Sequence, residues 1–351
     1  MKVGTFTHIG KILSKVTNEK ALIPLSRCVE IGEESIRVSS EYGNVEIAIQ
    51  PTGLKSPCLI NASALEAITS SLPSDSDIEL KEKDSALHWK CGGAKGHLSI
   101  VPQDNPIKTI VHPNFPWEPP KDFSKSLLLA DSICQSVNES GLYGIMLEPN
   151  GTKLNIISSN SASLINIEFE KLSYPIQKRI YIRPPIPPIL NTILTVCPKC
   201  AIDITPDGIF VLGDWLIGQF PLGNELDHDL KAIAEKYSSS NQVANIDSSA
   251  IKKFLVRAKT LAERKTTANI HIRIEQGKLI LEYKNLTASS EEYFLAEGLD
   301  TSISYSSVAL SVEMMMLPLQ YVKNMILDYL PESVLVLTGS DPNFRYVIGG
   351  G

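Results

Sequence analysis

The sequence predicts an α+β protein of three repeated domains, each with two helices packed on antiparallel sheet. The first observation is a threefold repeat, which takes precedence over residue-level reading. Pro318 to Leu337 reads as an amphipathic helix (Val322, Met325, Ile326, Tyr329 and Leu330 on one face), a stop at Pro331 and an apolar strand from Val334. Asn61 to Leu80 repeats the unit, with Ala64, Leu65, Ile68 and Leu72 before Pro73. Pro185 to Ile204 repeats it again, with Ile186, Ile189, Leu190, Ile193 and Leu194 before Pro198. The second observation is that an earlier amphipathic helix and a run of strands precede each copy. The third is composition: 351 residues that are 43% hydrophobic and 21% charged can furnish a core in every third.

The first domain, expected over residues 1–114, opens with a helix from Thr5 to Val16, because Ile9, Ile12, Leu13 and Val16 recur at helical spacing. Ile23-Pro24-Leu25 breaks the pattern. Val29–Ile31, Ser35–Ser39 and Val45–Ile49 read as strands with turns at Gly32-Glu33-Glu34 and Gly43-Asn44. The repeat helix follows, then strands at Ile78–Leu80, Leu87–Trp89 and Leu98–Val101. Residues 102–122 are rich in proline and read as a connector with some strand content.

The second domain (115–240) restarts with a helix near Lys125 to Val137, where Leu129, Ile133 and Val137 share a face. Strands follow at Gly144–Leu147, Leu154–Ser158 and Leu164–Phe169, with a hairpin signal at Asn150-Gly151. After the repeat helix come Ala201–Ile204 and Ile209–Leu212. The polar stretch 223–245 reads as a second connector with one helical turn.

The third domain (241–351) begins at Asp247, a good N-cap for a helix from Ser248 to Arg264. Ile251, Phe254, Leu255, Ala258, Leu261 and Ala262 form its expected buried stripe. Strands are expected at Ile270–Ile274, Lys278–Tyr283 and Glu292–Ala296, with Gln276-Gly277 turning the first pair. Met314-Met315-Met316-Leu317 reads as a buried strand.

The net charge of −6 argues against a bulk nucleic-acid binder, so any such role must rest on local segregation of charge. The helix from Ser248 supplies it: Lys252, Lys253, Arg257, Lys259 and Arg264 lie away from the apolar stripe, with Glu263 the one acid on that arc. A solvated helix face ordinarily mixes signs. Lys11, Lys15 and Lys20 add cations in the first domain, while the middle-domain helix sets Lys125 against Asp131. Long cations without interleaved aromatics suit phosphate contact without base readout. Cys91-Gly92-Gly93-Ala94-Lys95-Gly96 lacks phosphate-loop spacing and reads as a flexible hairpin whose Lys95 reaches DNA.

Catalytic and metal chemistry find little support. Cys197-Pro198-Lys199-Cys200 stands without the second pair that zinc needs, so the thiols read as core. Asp227-His228-Asp229 reads as a solvated loop. GxSxG and HExxH patterns are absent from the sequence. The expectation is a non-enzyme without cofactors or metal. Scattered cysteines, no apolar leader in MKVGTFTHIG and no membrane-length apolar run point to a cytoplasmic protein with no membrane partner.

With IGKILSKV…IPLSRCVEI, INASALEAITSSLPSDSDIEL and LPLQYVKNMILDYLPESVLVL in this threefold plan, the whole chain resembles the bacterial DNA polymerase III beta subunit, the sliding clamp also carried by some phages. The resemblance implies a head-to-tail homodimer, a ring with helices facing a central channel and sheets outside. It implies that the ring encircles double-stranded DNA without sequence specificity and tethers a DNA polymerase after a clamp loader has placed it. Leu98 and Leu261 match apolar positions of the dimer interface. Leu142, Ser159, Ser161, Leu164, Val347 and Gly349 match the lining of a partner-peptide pocket. The segment usually reading TDGHRL is Ser159-Asn160-Ser161-Ala162-Ser163-Leu164 here, and Gly349-Gly350-Gly351 replaces a methionine- and arginine-containing end. The rival reading is a clamp-like protein-interaction scaffold or regulator that does not encircle DNA.

Overall fold

The computed structural model describes residues 2–102, 107, 110, 117–135, 144–160, 163–170, 176, 178–183, 185–225, 229–236, 244–262, 268–276, 278–285, 288–295, 305–319, 324–330, 334–340 and 343–349. The chain runs through α1 (Val3–Val16), a 3-10 turn (Pro24–Arg27), β1 (Cys28–Ile31), β2 (Ser35–Ser40), β3 (Gly43–Ala48), β4 (Cys58–Asn61), α2 (Ala62–Ser71), β5 (Glu79–Lys83), β6 (Ala86–Cys91) and β7 (Ala94–Ser99). Next come α3 (Phe123–Gln135), β8 (Ile145–Asn150), β9 (Lys153–Ser159), β10 (Ser163–Phe169), β11 (Ile180–Ile182), α4 (Ile186–Val196), β12 (Ala201–Thr205), β13 (Gly208–Leu212) and β14 (Leu216–Phe220). The remainder is α5 (Leu230–Lys236), β15 (Ala244–Asp247), α6 (Ser248–Leu261), β16 (Asn269–Glu275), β17 (Lys278–Lys284), β18 (Ser289–Leu295), β19 (Tyr305–Ser311), α7 (Val312–Leu319), β20 (Asn324–Leu330), β21 (Val334–Ser340) and β22 (Asn343–Gly349). Setting α5 and β15 aside, one order occurs three times: helix, four strands, helix, three strands. The expected α+β class and its repetition are therefore what the backbone shows.

One compact unit comprises Met1–Ser124, Tyr174–Ile176 and Pro185–Leu222. Its larger sheet has the order β12-β13-β14-β3-β2-β1-β4, and β5-β6-β7 form a second, smaller sheet. Strand alternation explains the core: Ile36 opposes Ile47 and Val38 opposes Val45, and all four are buried. Val3, Phe6, Ile9, Ile12, Leu13 and Val16 make the buried stripe of α1, which packs on α2, α4, β2 and β3. β14 joins β3 from Leu216↔Ile47 to Gln219↔Asn44, so one ladder links strands far apart in the chain. Gly43 makes that junction possible. Its φ is +146°, and a Cβ there would sit 2.5 Å from the Gln219 carbonyl oxygen and 2.5 Å from the Phe220 ring.

The other unit comprises Lys125–Ser173, Gln177–Pro184 and Gly223–Gly351. Its larger sheet has the order β11-β8-β9-β10-β22-β21-β20-β15, and the smaller one is β18-β17-β16-β19. The expected hairpin is present, with Asn150 opposite Lys153 and Gly151 at φ +61°. Asp247 caps α6, accepting a 2.8 Å bond from the Ser249 backbone N–H.

The last third departs most from expectation. Its second helix is α7 (Val312–Leu319), so Met314–Leu317 lie in a helix and not in a strand. Asn324–Leu330, expected as the helix, is β20 instead. NMILDYL is almost continuously apolar, and such a run satisfies helical spacing and a buried strand equally. Long-range pairing decides: β20 is hydrogen-bonded on both sides, to β15 and to β21. Smaller differences follow the same logic. The strand expected at Leu98–Val101 is β7, Ala94–Ser99, so Lys95 and Gly96 belong to a strand and the turn lies at Gly92, φ +54°. Leu261, expected in the buried stripe of α6, is 39% exposed. The connector after residue 222 contains a seven-residue helix, α5.

Candidate nucleic-acid interface and partner groove

Two helices carry most of the predicted cations. On α1 the stripe described above turns Lys11 and Lys15 to solvent, and Lys20 is exposed just beyond the helix. Among the described residues these three lysines make no ion pair within 4 Å. On α6, Ile251, Phe254, Leu255 and Ala258 are buried, leaving Lys252, Lys253, Arg257 and Lys259 exposed. Here the structure adds what helix geometry alone does not give. Arg257 pairs with Glu292 of β18, and Lys259 lies 3.3 Å from Glu313 of α7. Lys252 and Lys253 make no such pair among the described residues. The cationic arc is therefore narrower than the sequence implies, because neighbouring elements supply the missing acids. Exposed pairs of this kind are worth roughly 0.2–1 kcal/mol, so a phosphate can replace the glutamates. Arg264 lies outside the described residues. Lys95 is on β7, opposite Lys90.

The two residues expected at an interface lie on different units. Leu98 is half-buried on β7, opposite the buried Leu87. Leu261 ends α6. Among the described residues the outer strands of the two smaller sheets are β5 and β7 in one and β18 and β19 in the other. β7 (AKGHLS) carries a lysine and a histidine and no acid; β18 (SSEEYFL) carries two glutamates and no cation. Within its own sheet, Arg273 bridges Glu275, Glu282 and Glu291 at 3.1, 3.4 and 2.8 Å.

Two of the residues expected to line a partner-peptide pocket, Leu164 and Val347, belong to a buried apolar cluster. Leu164 and Val347 are direct cross-strand neighbours on β10 and β22, each 4% exposed. Around them sit Met146, Ile157, Tyr181, Val336 and, from α5, Leu230 and Ala234. Sequence reasoning missed these six. The i, i+4 pair Leu230–Ala234 was a readable sign of an apolar helix face. Ser159 is buried, its hydroxyl 2.9 Å from the carbonyl oxygens of Asn160 and Ser163. Asn160 ties this segment down, donating to the Ile133 carbonyl and accepting from the Ser163 N–H at 2.7 Å. Gly349 is at the end of β22, opposite Val334. Leu142 and Ser161 lie outside the described residues.

A charge network fixes α5 beside this cluster. Glu148 accepts from Arg179 at 2.7 Å and from Lys231 at 3.0 Å, and Arg179 also meets Asp229 at 3.2 Å. Burial pushes the Glu148 carboxyl up, but the hydrogen bonds from Arg179 and Lys231 outweigh it and hold the group below its ordinary value.

Metal and redox candidates gain nothing. All six cysteines are buried and unlinked, and burial pushes the Cys58 thiol up to about 11. Among the described residues no group of three His, Cys, Asp or Glu side chains is placed to hold a metal. Asp227 and His228 lie outside them, and Asp229 is committed to Arg179. No helix among the described residues is long and apolar enough to cross a membrane.

No protein-family model matches the chain, and no curated protein matches it in sequence. Solved structures do match, over the full length. A protein of Eubacterium rectale assigned as a DNA polymerase III beta subunit is similar at TM-score 0.84 and 15% identity, covering 100% of this chain and 98% of that one. The DNA polymerase III subunit beta of Pseudomonas aeruginosa is similar at TM-score 0.77 and 17% identity, with 100% and 98% coverage. The Helicobacter pylori beta clamp bound to a DNA ligase peptide is similar at TM-score 0.80 and 15% identity, with 100% and 99% coverage. This chain thus has the sliding-clamp fold, in a sequence far diverged from those proteins.

Proposed function

We propose that this protein is a DNA sliding clamp, a non-catalytic processivity factor that encircles duplex DNA and tethers a replicative polymerase. The observation that carries the reading is clamp-like folding over the whole chain combined with exposed cations on α1 and α6, the first helix of the first and third repeats. In this reading the domains are 1–114, 115–240 and 241–351. Two copies close head to tail, with Leu98 and Leu261 at the seam and the basic edge β7 of one copy meeting the acidic edge β18 of the other. Lys11, Lys15, Lys20, Lys252, Lys253, Arg257, Lys259 and Arg264 then make mobile, sequence-independent phosphate contacts. The Leu164–Val347 cluster receives an apolar peptide of a polymerase or clamp loader, in the cytoplasm.

Retention on circular DNA tests this reading. Once loaded, the protein should stay on closed circles and leave when they are linearised; equal retention on both would mean ordinary binding. The ion pairs of Arg257 and Lys259 favour one rival, a clamp-like scaffold that never encircles DNA. That rival predicts no retention on either form while the dimer persists in light scattering.

A further inference from the structure

The sheet β5-β6-β7 has two chemically opposite faces. Strand alternation sets Leu80, Leu87 and Leu98 on one of them, and Leu87 is 1% exposed, so this face is turned to the core. The other face bears cross-strand rows: Glu79–Lys90–Lys95, Lys81–His88–His97 and Lys83–Ala86–Ser99. The lysines in these rows, Lys81, Lys83, Lys90 and Lys95, are all exposed, in a chain of net charge −6. Glu79 is the one carboxylate in the rows. Lys83 has an exposed partner in Asp84 at 3.6 Å; among the described residues Lys81, Lys90 and Lys95 make no ion pair within 4 Å. The His88 and His97 rings lie against each other, centroids 5.7 Å apart. Lys81, His88, Lys90, Lys95 and His97 also line one open groove of about 1010 Å³.

We infer that this face binds single-stranded nucleic acid through its phosphates, at a site separate from the helix cations. Neighbouring strands lie about 4.8 Å apart and same-face residues about 6.8 Å apart, so the lysines form a flat lattice of charge held by the sheet. Like charges fixed this closely repel one another, and an anionic chain relieves that repulsion. A flexible polynucleotide presents phosphates along one continuous edge and leaves bases free to lie on imidazole rings. An extended acidic peptide turns every second carboxylate away. A duplex is a rigid cylinder that meets a flat sheet along a line and reaches few of the lysines. Lys81, Lys83 and Lys90 are on β5 and β6, not on β7, the edge assigned to the proposed dimer seam.

Fluorescence anisotropy on the full-length protein tests the inference, with a labelled oligothymidylate of about 20 nucleotides titrated between 50 and 200 mM salt. Wild type should bind, and K81E/K83E/K90E should weaken binding at least tenfold at the lowest salt. The log–log salt slope should flatten by roughly 2, the value for three lost single-strand contacts. The milder K81Q/K83Q/K90Q should show a smaller loss of the same sign, and K252E/K253E, which alters only the helix cations, should lose clearly less than K81E/K83E/K90E. Unchanged affinity in both triple variants would overturn the inference. So would equal loss in K252E/K253E, or tighter binding of a labelled polyglutamate of the same length.

Discussion

α1 and α6 hold the same place in their repeats and both carry cations and no acid, two on α1 and four on α6, yet the structure leaves those cations in different electrostatic states. On α1, Lys11 and Lys15 make no ion pair among the described residues. On α6, the cations nearest the C-terminal end are engaged, Arg257 with Glu292 and Lys259 with Glu313. The glutamates come from β18 and α7, separated from α6 by many residues of chain. A wheel records only what one helix carries; the field a ligand meets also includes what packs beside it.

The largest expected effect sets the helices against each other directly. K11E/K15E and K252E/K253E should each lower equilibrium affinity for duplex DNA by roughly 10- to 100-fold near 0.1 M salt, since reversing two contacts removes cations and adds repulsion. Unchanged affinity with K11E/K15E would remove α1 from the proposed DNA-facing surface and leave α6 alone.

A second test separates exposed pairs from one that is nearly enclosed. The Glu148 side chain is 9% exposed and holds Arg179 and Lys231, so E148Q should destabilise the fold by about 2 kcal/mol at pH 7. The sign of its pH dependence follows from the lowered carboxyl. Its stabilising contribution is fully present above the unfolded value of about 4.3 and is lost as pH falls through the folded one. Wild type and E148Q should therefore converge in denaturant midpoint at strongly acidic pH. A gap that persists at pH 2 would assign the loss to packing.

The smallest effect sharpens the contrast most. E292Q/E313Q frees Arg257 and Lys259, and DNA affinity should rise a few-fold while the salt slope steepens by up to about 2. Because exposed pairs contribute little, the melting temperature should move by less than about 2 °C. Unchanged salt dependence would mean that these two cations do not meet DNA.

Legibility from sequence followed the range of the forces involved. α1, α2, α4 and α6 were readable because each writes its apolar stripe within its own residues. The Asn150-Gly151 hairpin was readable because its turn chemistry is local. β20 was not, since its state depends on partners in β15 and β21 that no local window contains. β11 and β14 went unseen for a related reason: three or five residues give periodicity too few points. The buried apolar cluster was half legible. Leu164 and Val347 came from resemblance, whereas Leu230 and Ala234 were passed over inside a stretch read as connector. The pairing of Arg257 with Glu292 left no trace in either residue's neighbourhood.

The junction at Gly43 has a mechanical consequence. β14, from the middle repeat, is laddered to β3, from the first, and the sheet passes across the proposed 114/115 boundary without a break. β22 and β10 continue a sheet in the same way between the third repeat and the second. Bending at either place would shear a row of hydrogen bonds at once, so these boundaries behave as welds. Each weld lies inside one compact unit, so the first and third repeats each move together with the half of the middle repeat they are laddered to.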